Sequence, residues 1–191
     1  MAGGRWLARI ALIAAAGCAA VLHAQPAVNP TAAAVHVFQQ RVADYMKVHQ
    51  QAEGKVPDLK ETGDPEKIAT REKALGDTIR SLRPGAKPGD IFAEEFRPLL
   101  LQLIHDDFAT RSAADRRALI QELPAKFQLS INMTYPTTLP LITVPAKLLR
   151  VLPQLPEELE YRILGRHLLL RDVKGNIVVD YVRDAVPTIP S

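Results

Sequence analysis

The side chains best suited to chemistry are histidines, and outside the N-terminal leader there are four: His36, His49, His105 and His167. His36 and His49 lie thirteen residues apart, which on a helix of 3.6 residues per turn points them to substantially different faces. No His-x-x-x-His or Glu-x-x-His pair occurs among the four. His105-Asp106-Asp107 is the densest polar cluster, and its residue types suit a general base or a hard-cation site. It also falls in the last turn of a helical pattern, where a solvated helix end is the preferred reading. Glu94-Glu95 and Glu157-Glu158 are neighbours near helix starts, so they do not face each other as a catalytic pair would, and dipole complementarity accounts for them. There is no Gly-x-Ser-x-Gly elbow, phosphate-binding Gly loop or His-Glu-x-x-His. Ser, His and Asp are all present, and a triad assembled only in the fold remains open.

A second group of candidates depends on the C-terminal stretch from Leu159 to Val182. Gly165-Arg166 suits a two-residue hairpin turn, setting Leu164 opposite His167, Ile163 opposite Leu168, Arg162 opposite Leu169 and Tyr161 opposite Leu170. A second turn at Lys174-Gly175 sets Asp172 opposite Ile177, Leu170 opposite Val179 and Leu168 opposite Tyr181. Side chains alternate between faces along each strand. One face then carries Leu159, Tyr161, Ile163, Leu168, Leu170, Ile177, Val179 and Tyr181. The other is mixed and carries Glu160, Arg162, Leu164, His167, Leu169, Arg171, Val178 and Asp180. Arg162, Leu169 and Asp180 align across the three strands, and Glu160 lies opposite Arg171. Three explanations suit this face: a surface ion-pair ladder of about 0.2–1 kcal/mol per pair, a docking surface for Leu164, Leu169 and Val178, or cover by a Pro-rich arm. Tyr135, Arg162, His167 and Asp180 are the candidate binding residues.

The elements that must position these groups are mostly helical. A stripe of Val35, Phe38, Val42, Tyr45 and His49, widened by Met46, marks a helix from Thr31. Asp64-Pro65 opens a second, with Ile68, Leu75, Ile79 and Leu82 on its apolar face and Asp64 as cap. A third is expected over about Ala93–Phe108, bent at Pro98 unless it starts nearer Glu95. A fourth runs from Ser112 to Leu123, with Ser112-x-x-Asp115 as a capping box. Phe127, Leu129, Ile131 and Met133 alternate with polar residues, which predicts a half-buried strand near 127–133. Pro136, Pro140, Pro145, Pro153 and Pro156 then describe an extended arm, with one or two helical turns in Ala146–Leu152. The expected class is α+β: about four N-terminal helices packed on a small antiparallel sheet, the meander plus the 127–133 strand. The organisation is a leader over 1–24, a linker over 25–30, one domain over 31–186 and a tail over 187–191.

The leader has Arg5 and Arg9 followed by an uncharged run from Ile10 to Leu22, ending in Leu22-His23-Ala24, as an export signal does. That run is short for a bilayer crossing of about 20 residues, so removal is expected rather than retention as an anchor. Ala15-Ala16-Gly17-Cys18 is a rival cut that would lipidate Cys18; it ranks second, because Ala15 stands where Leu, Val or Ile is usual. Of 24 basic and 21 acidic residues, Arg5 and Arg9 fall in the leader, which leaves 22 against 21. Such balance gives no electrostatic footprint for nucleic acid. Cys18 is the single cysteine, so the mature chain has no disulfide, thiol nucleophile or thiolate metal site. No further stretch has the length and hydropathy of a transmembrane helix.

The succession Gly89-Asp90-Ile91-Phe92, Tyr135-Pro136, Leu139-Pro140-Leu141, Leu152-Pro153, Leu155-Pro156, Tyr161-Arg162, Gly165, Asp172, Asn176 and Val178-Val179-Asp180 resembles an uncharacterised family of exported bacterial proteins. The resemblance implies export and a shared fold. The ribbon with its Pro-rich lead-in is also similar to periplasmic nickel/cobalt-homeostasis proteins, where a Tyr-Arg strand follows a Pro-rich run, but no metal-binding residue carries over. The expected function is a non-catalytic periplasmic or envelope protein that binds a protein or small ligand, without cofactor or metal. The alternatives are an envelope hydrolase with His105 or His167 as base, and a metal-stress accessory protein.

Overall fold

The computed structural model describes residues 29–120, 123–124, 127–136, 138–139 and 142–188, so Cys18 and the leader lie outside the described residues. Among the described residues, the helices are α1 (Pro30–Glu53), α2 (Pro65–Leu82), α3 (Arg97–Ala109), α4 (Ala113–Leu119) and α5 (Ala146–Leu149). The strands are β1 (Ile142–Thr143), β2 (Leu159–Leu164), β3 (His167–Asp172) and β4 (Ile177–Val182). They form one antiparallel sheet in the order β1-β2-β3-β4, and the class is α+β.

Local chemistry sets the helix starts. The Asp64 carboxylate accepts the Glu66 N–H at 3.1 Å, and Pro65 occupies the first helical position. Ser112 Oγ accepts the Asp115 N–H at 3.1 Å, the first half of a capping box, and its hydroxyl, not the Ser112 backbone N–H, donates to the Asp115 carboxylate at 2.7 Å. Pro98 lies in the first turn of α3, because that helix begins at Arg97 rather than near Ala93; there its missing N–H removes no helical bond.

The β2–β3 hairpin has the expected register, including Arg162 opposite Leu169 and Glu160 opposite Arg171. The β3–β4 pair begins as expected, with Asp172 opposite Ile177, and then departs. Arg171 pairs with Val178 but Leu170 pairs with Asp180, so Val179 is an extra residue, a β-bulge. Past a bulge every later side chain changes face. Asp180 therefore leaves the mixed face where it was expected, and Tyr181 leaves the apolar face for the opposite cluster with Leu164, Leu169 and Val178. On the helical side Asp180 accepts the N–H groups of Gly89 (2.9 Å), Ile91 (2.8 Å) and Phe92 (2.7 Å), besides that of Tyr181. It thus pins the loop that leads into α3.

Both faces of the sheet are covered. The larger core joins α1, α2, α3 and α5 to the first face. Phe38 stacks on Phe96 at 4.5 Å between ring centroids and lies 5.9 Å from Phe92 and 6.4 Å from Tyr161. Pairs of this kind add about 0.5–1.5 kcal/mol beyond the area they bury. The smaller core lies under residues 127–135, where Leu129 and Tyr135 close over Leu164, Leu169 and Val178. Two of the three explanations for the mixed face hold in part: Arg162 and Arg171 pair with Glu160, and the apolar side chains are covered by chain, although mainly by residues 127–135 rather than by the Pro-rich arm, so they are not an open docking surface.

The expected strand near 127–133 does not form. Asn132 adopts a left-handed backbone (φ 61°) that no pleated strand tolerates. Its carboxamide accepts Arg83 Nη1 at 3.0 Å and donates to the Arg83 carbonyl at 3.3 Å, while its own carbonyl accepts Arg80 Nε at 2.9 Å. The alternation of apolar residues there reflects an irregular segment laid over a sheet face. It touches β4 through an isolated bridge, Thr134 to Ile177.

Gly76 of α2 marks the closest approach of helix to sheet. A Cβ there would stand 2.5 Å from the Gly175 carbonyl oxygen and 3.0 Å from Ile177 Cγ2. Ala is favoured over Gly in a helix interior by about 1 kcal/mol, but a clash with backbone costs about 1–3 kcal/mol. Gly76→Ala is therefore expected to lower the urea midpoint, where propensity alone would raise it.

Candidate functional site

Tyr45, His49 and Glu53 sit four residues apart on one stripe of α1. That stripe meets the β3–β4 turn, and Asp172 at the end of β3 is buried beneath it. One Asp172 oxygen accepts Tyr45 Oη at 2.7 Å and His49 Nδ1 at 2.6 Å; the other accepts the Gly175 N–H at 2.7 Å. An ionised carboxylate only accepts, so His49 carries its proton on Nδ1. His49 Nε2 is buried, lies 3.5 Å from Glu53 Oε2 and makes no hydrogen bond among the described residues.

Electrostatics fixes the protonation of this cluster. Burial opposes a charged His49, but the hydrogen bond and charge of Asp172 and the charge of Glu53 prevail, and its pKa rises above the ordinary imidazole value. Burial, then the Asp172 charge, pushes the Tyr45 phenol well up, so Tyr45 remains a neutral donor. The Arg83 guanidinium covers the Tyr45 ring at 5.0 Å. With Nε2 sealed and facing the Glu53 carboxylate, the group joins α1 to the sheet as a buried clasp.

Outside the clasp lies a cleft. Lys174 reaches Glu53 at 3.3 Å and Glu158 at 3.4 Å, and with Glu53 lines one side of it. The cleft of about 410 Å³ is lined further by Asp58, Leu59, Ile68, Arg71, Glu72 and Leu75. An adjoining hollow of about 500 Å³ shares Asp58, Leu59 and Arg71 and extends over Pro57, Thr70 and Ala74. Leu59 and Ile68 are 40% and 38% exposed, in a protein whose other large apolar residues are mostly buried. The cleft therefore combines three apolar side chains, Leu59, Ile68 and Leu75, with five charged ones.

The residues singled out from sequence are distributed differently. Tyr135 is buried under the second face, with the Arg171 guanidinium 5.4 Å from its ring centroid. Arg162 bonds Glu160 and, at 3.0 Å, Thr143 Oγ1, while Arg171 reaches Glu160 at 2.6 Å and Asn176 at 2.7 Å. The fold thus brings Tyr135 and Arg162 into one charged neighbourhood. Burial raises the Tyr135 phenol although Arg171 and Arg162 oppose it, and for Glu160 the bonds from both arginines outweigh burial and hold its pKa down. Asp180 is not part of that group, since the bulge turns it to the other side, where burial raises its pKa against four backbone N–H bonds. His167 is half-buried and accepts the Asp184 N–H on Nδ1 at 3.0 Å; burial lowers its pKa. His105 and Asp106 are exposed, whereas Asp107 is buried and paired with Arg111 at 2.6 Å, so the three do not converge.

His49 and Asp172 are absent from the candidates read from the sequence, although one signal points to them. A histidine on an otherwise apolar helical stripe needs a buried partner, and Asp172 falls on the apolar face of the meander. Among the described residues, no group of three or more His, Cys, Asp or Glu side chains is arranged to hold a metal ion, and no helix is long and apolar enough to cross a membrane.

A raised pKa in the folded state gives stability that is complete below the unfolded imidazole value of about 6.5. It is lost as pH rises through the folded value. Urea unfolding between pH 6 and 9 should show this decline in the parent and a flatter profile in His49→Gln. At pH 6 the variant should be less stable by about 1.5–3 kcal/mol, the worth of a hydrogen bond to a charged group. Comparison of the chain with protein-family models, curated proteins and solved structures returns no match.

Proposed function

We propose that the protein is an exported, non-catalytic binding protein of the periplasm or cell envelope, and that its ligand occupies the cleft between the end of α1 and α2. The export half of the proposal rests on sequence: Arg5 and Arg9, the run Ile10–Leu22 and a cut after Ala24, with lipidation at Cys18 as the alternative. The binding half rests on one observation, the exposure of Leu59 and Ile68 within a recess also lined by Glu53, Arg71 and Lys174. The ligand is a protein segment or a small molecule with apolar surface.

The test is a fragment screen read by amide chemical shifts on the parent and on Leu59→Asp. Shift changes should gather at Leu59, Ile68, Arg71 and Lys174 and vanish in the variant. Its stability should stay within about 0.5 kcal/mol of the parent, as for an exposed position. Shifts scattered over the surface, or full binding by Leu59→Asp, would show that the cleft is not the recognition site.

A further inference from the structure

Arg71 lines both hollows of the recess between α1 and α2. On α2 it belongs to two stripes at helical spacing: Lys67, Thr70, Arg71 and Ala74 line one hollow, and Ile68, Arg71, Glu72 and Leu75 line the other. Its Nε is enclosed and makes no hydrogen bond, and its Nη groups make neither a hydrogen bond nor an ion pair among the described residues. The other cations of the recess are committed, Lys174 to Glu53 and Glu158, and Lys67 to Asp64 at 3.4 Å.

The residues common to the two hollows are Asp58, Leu59 and Arg71: one acid, one apolar side chain and one base. Asp58 is exposed, and no ion pair joins it to Arg71 or to any other described residue. Counting every residue that lines the recess, five acids stand against three bases. A simple anion is therefore opposed by the surplus of acid, and a simple cation leaves the Arg71 guanidinium unmet. A molecule that carries both charges satisfies both. An enclosed Nε holds the guanidinium fork in place, and such a fork accommodates a carboxylate through two parallel hydrogen bonds.

We infer that the recess takes a small zwitterion with an apolar side chain, the chemistry of an apolar amino acid or a short apolar peptide. This rests on the recess being the binding site proposed above, and it names what that site selects. The ligand carboxylate meets Arg71, its ammonium meets Asp58, and its side chain lies on Leu59 and Ile68.

The experiment titrates the full chain with L-leucine and with L-leucyl-L-leucine, read by amide chemical shifts. Beside them run the N-acetyl form of each, which lacks the ammonium, and the amide of each, which lacks the carboxylate. At least one zwitterion should shift Leu59, Ile68 and Arg71, and which of them does so separates a free amino acid from a peptide. Loss of either charge should weaken binding at least about tenfold, the effect of one hydrogen bond to a charged group. Arg71→Gln should weaken the zwitterion by a similar factor and leave the amide unchanged. Asp58→Asn should weaken the zwitterion and leave the N-acetyl form unchanged, with melting curves to check that both variants fold. Binding of the amide or the N-acetyl form as tight as that of the zwitterion would overturn the inference, as would undiminished zwitterion binding by Arg71→Gln. Shifts at Leu59 and Ile68 from uncharged apolar fragments but from neither zwitterion would sink this inference and leave the recess as the site. Absence of shifts there from every compound would sink both.

Discussion

The meander is covered on both faces, and this constraint governs the rest of the molecule. A sheet with one wet face can leave its polar side chains to water. Here Asp172, Asp180 and Arg171 are all buried or nearly so, and each must find partners within the protein. Those partners come from elements distant in sequence. α1 supplies Tyr45 and His49 to Asp172, the loop before α3 supplies three N–H groups to Asp180, and Glu160 with Asn176 satisfies Arg171. The helices dock in one arrangement because any other would strand a charge.

The bulge in β4 makes this possible. Placing Val179 and Asp180 on the same side gives the helical layer both an apolar contact and a carboxylate, while Tyr181 moves to the second layer. There its hydroxyl lies 3.4 Å from the Leu129 carbonyl and Arg183 covers its ring at 5.0 Å. One inserted residue thus serves two cores with different needs.

Much of the fold was legible in local chemistry. Asp64-Pro65, Ser112 with Asp115, and Gly165-Arg166 each have a single good conformational solution, and the helices and first hairpin follow from them. The bulge was not legible, because Ile-Val-Val-Asp-Tyr-Val contains nothing that marks one residue as additional, and the alternation persists on either side of it. The strand expected near 127–133 failed for a related reason: period-two patterning reports one buried side, and an irregular segment across a sheet face also has one buried side. The binding candidates on the mixed face were placed by the same alternation, so Asp180 was misassigned with the bulge while Arg162 stayed where the first hairpin put it. At the clasp, the stripe through Tyr45 and His49 was visible, but its partner Asp172 lies 123 residues further on, beyond what helical periodicity reports.

Both borders of the sheet are occupied by chain. Asn132 to Tyr135 hydrogen-bond along the outer side of β4, and Ile142–Thr143 pair with β2 at the far side. Open strand margins invite pairing between molecules, so these two short pieces of chain guard the long outer edges of β4 and β2 against edge-on self-association.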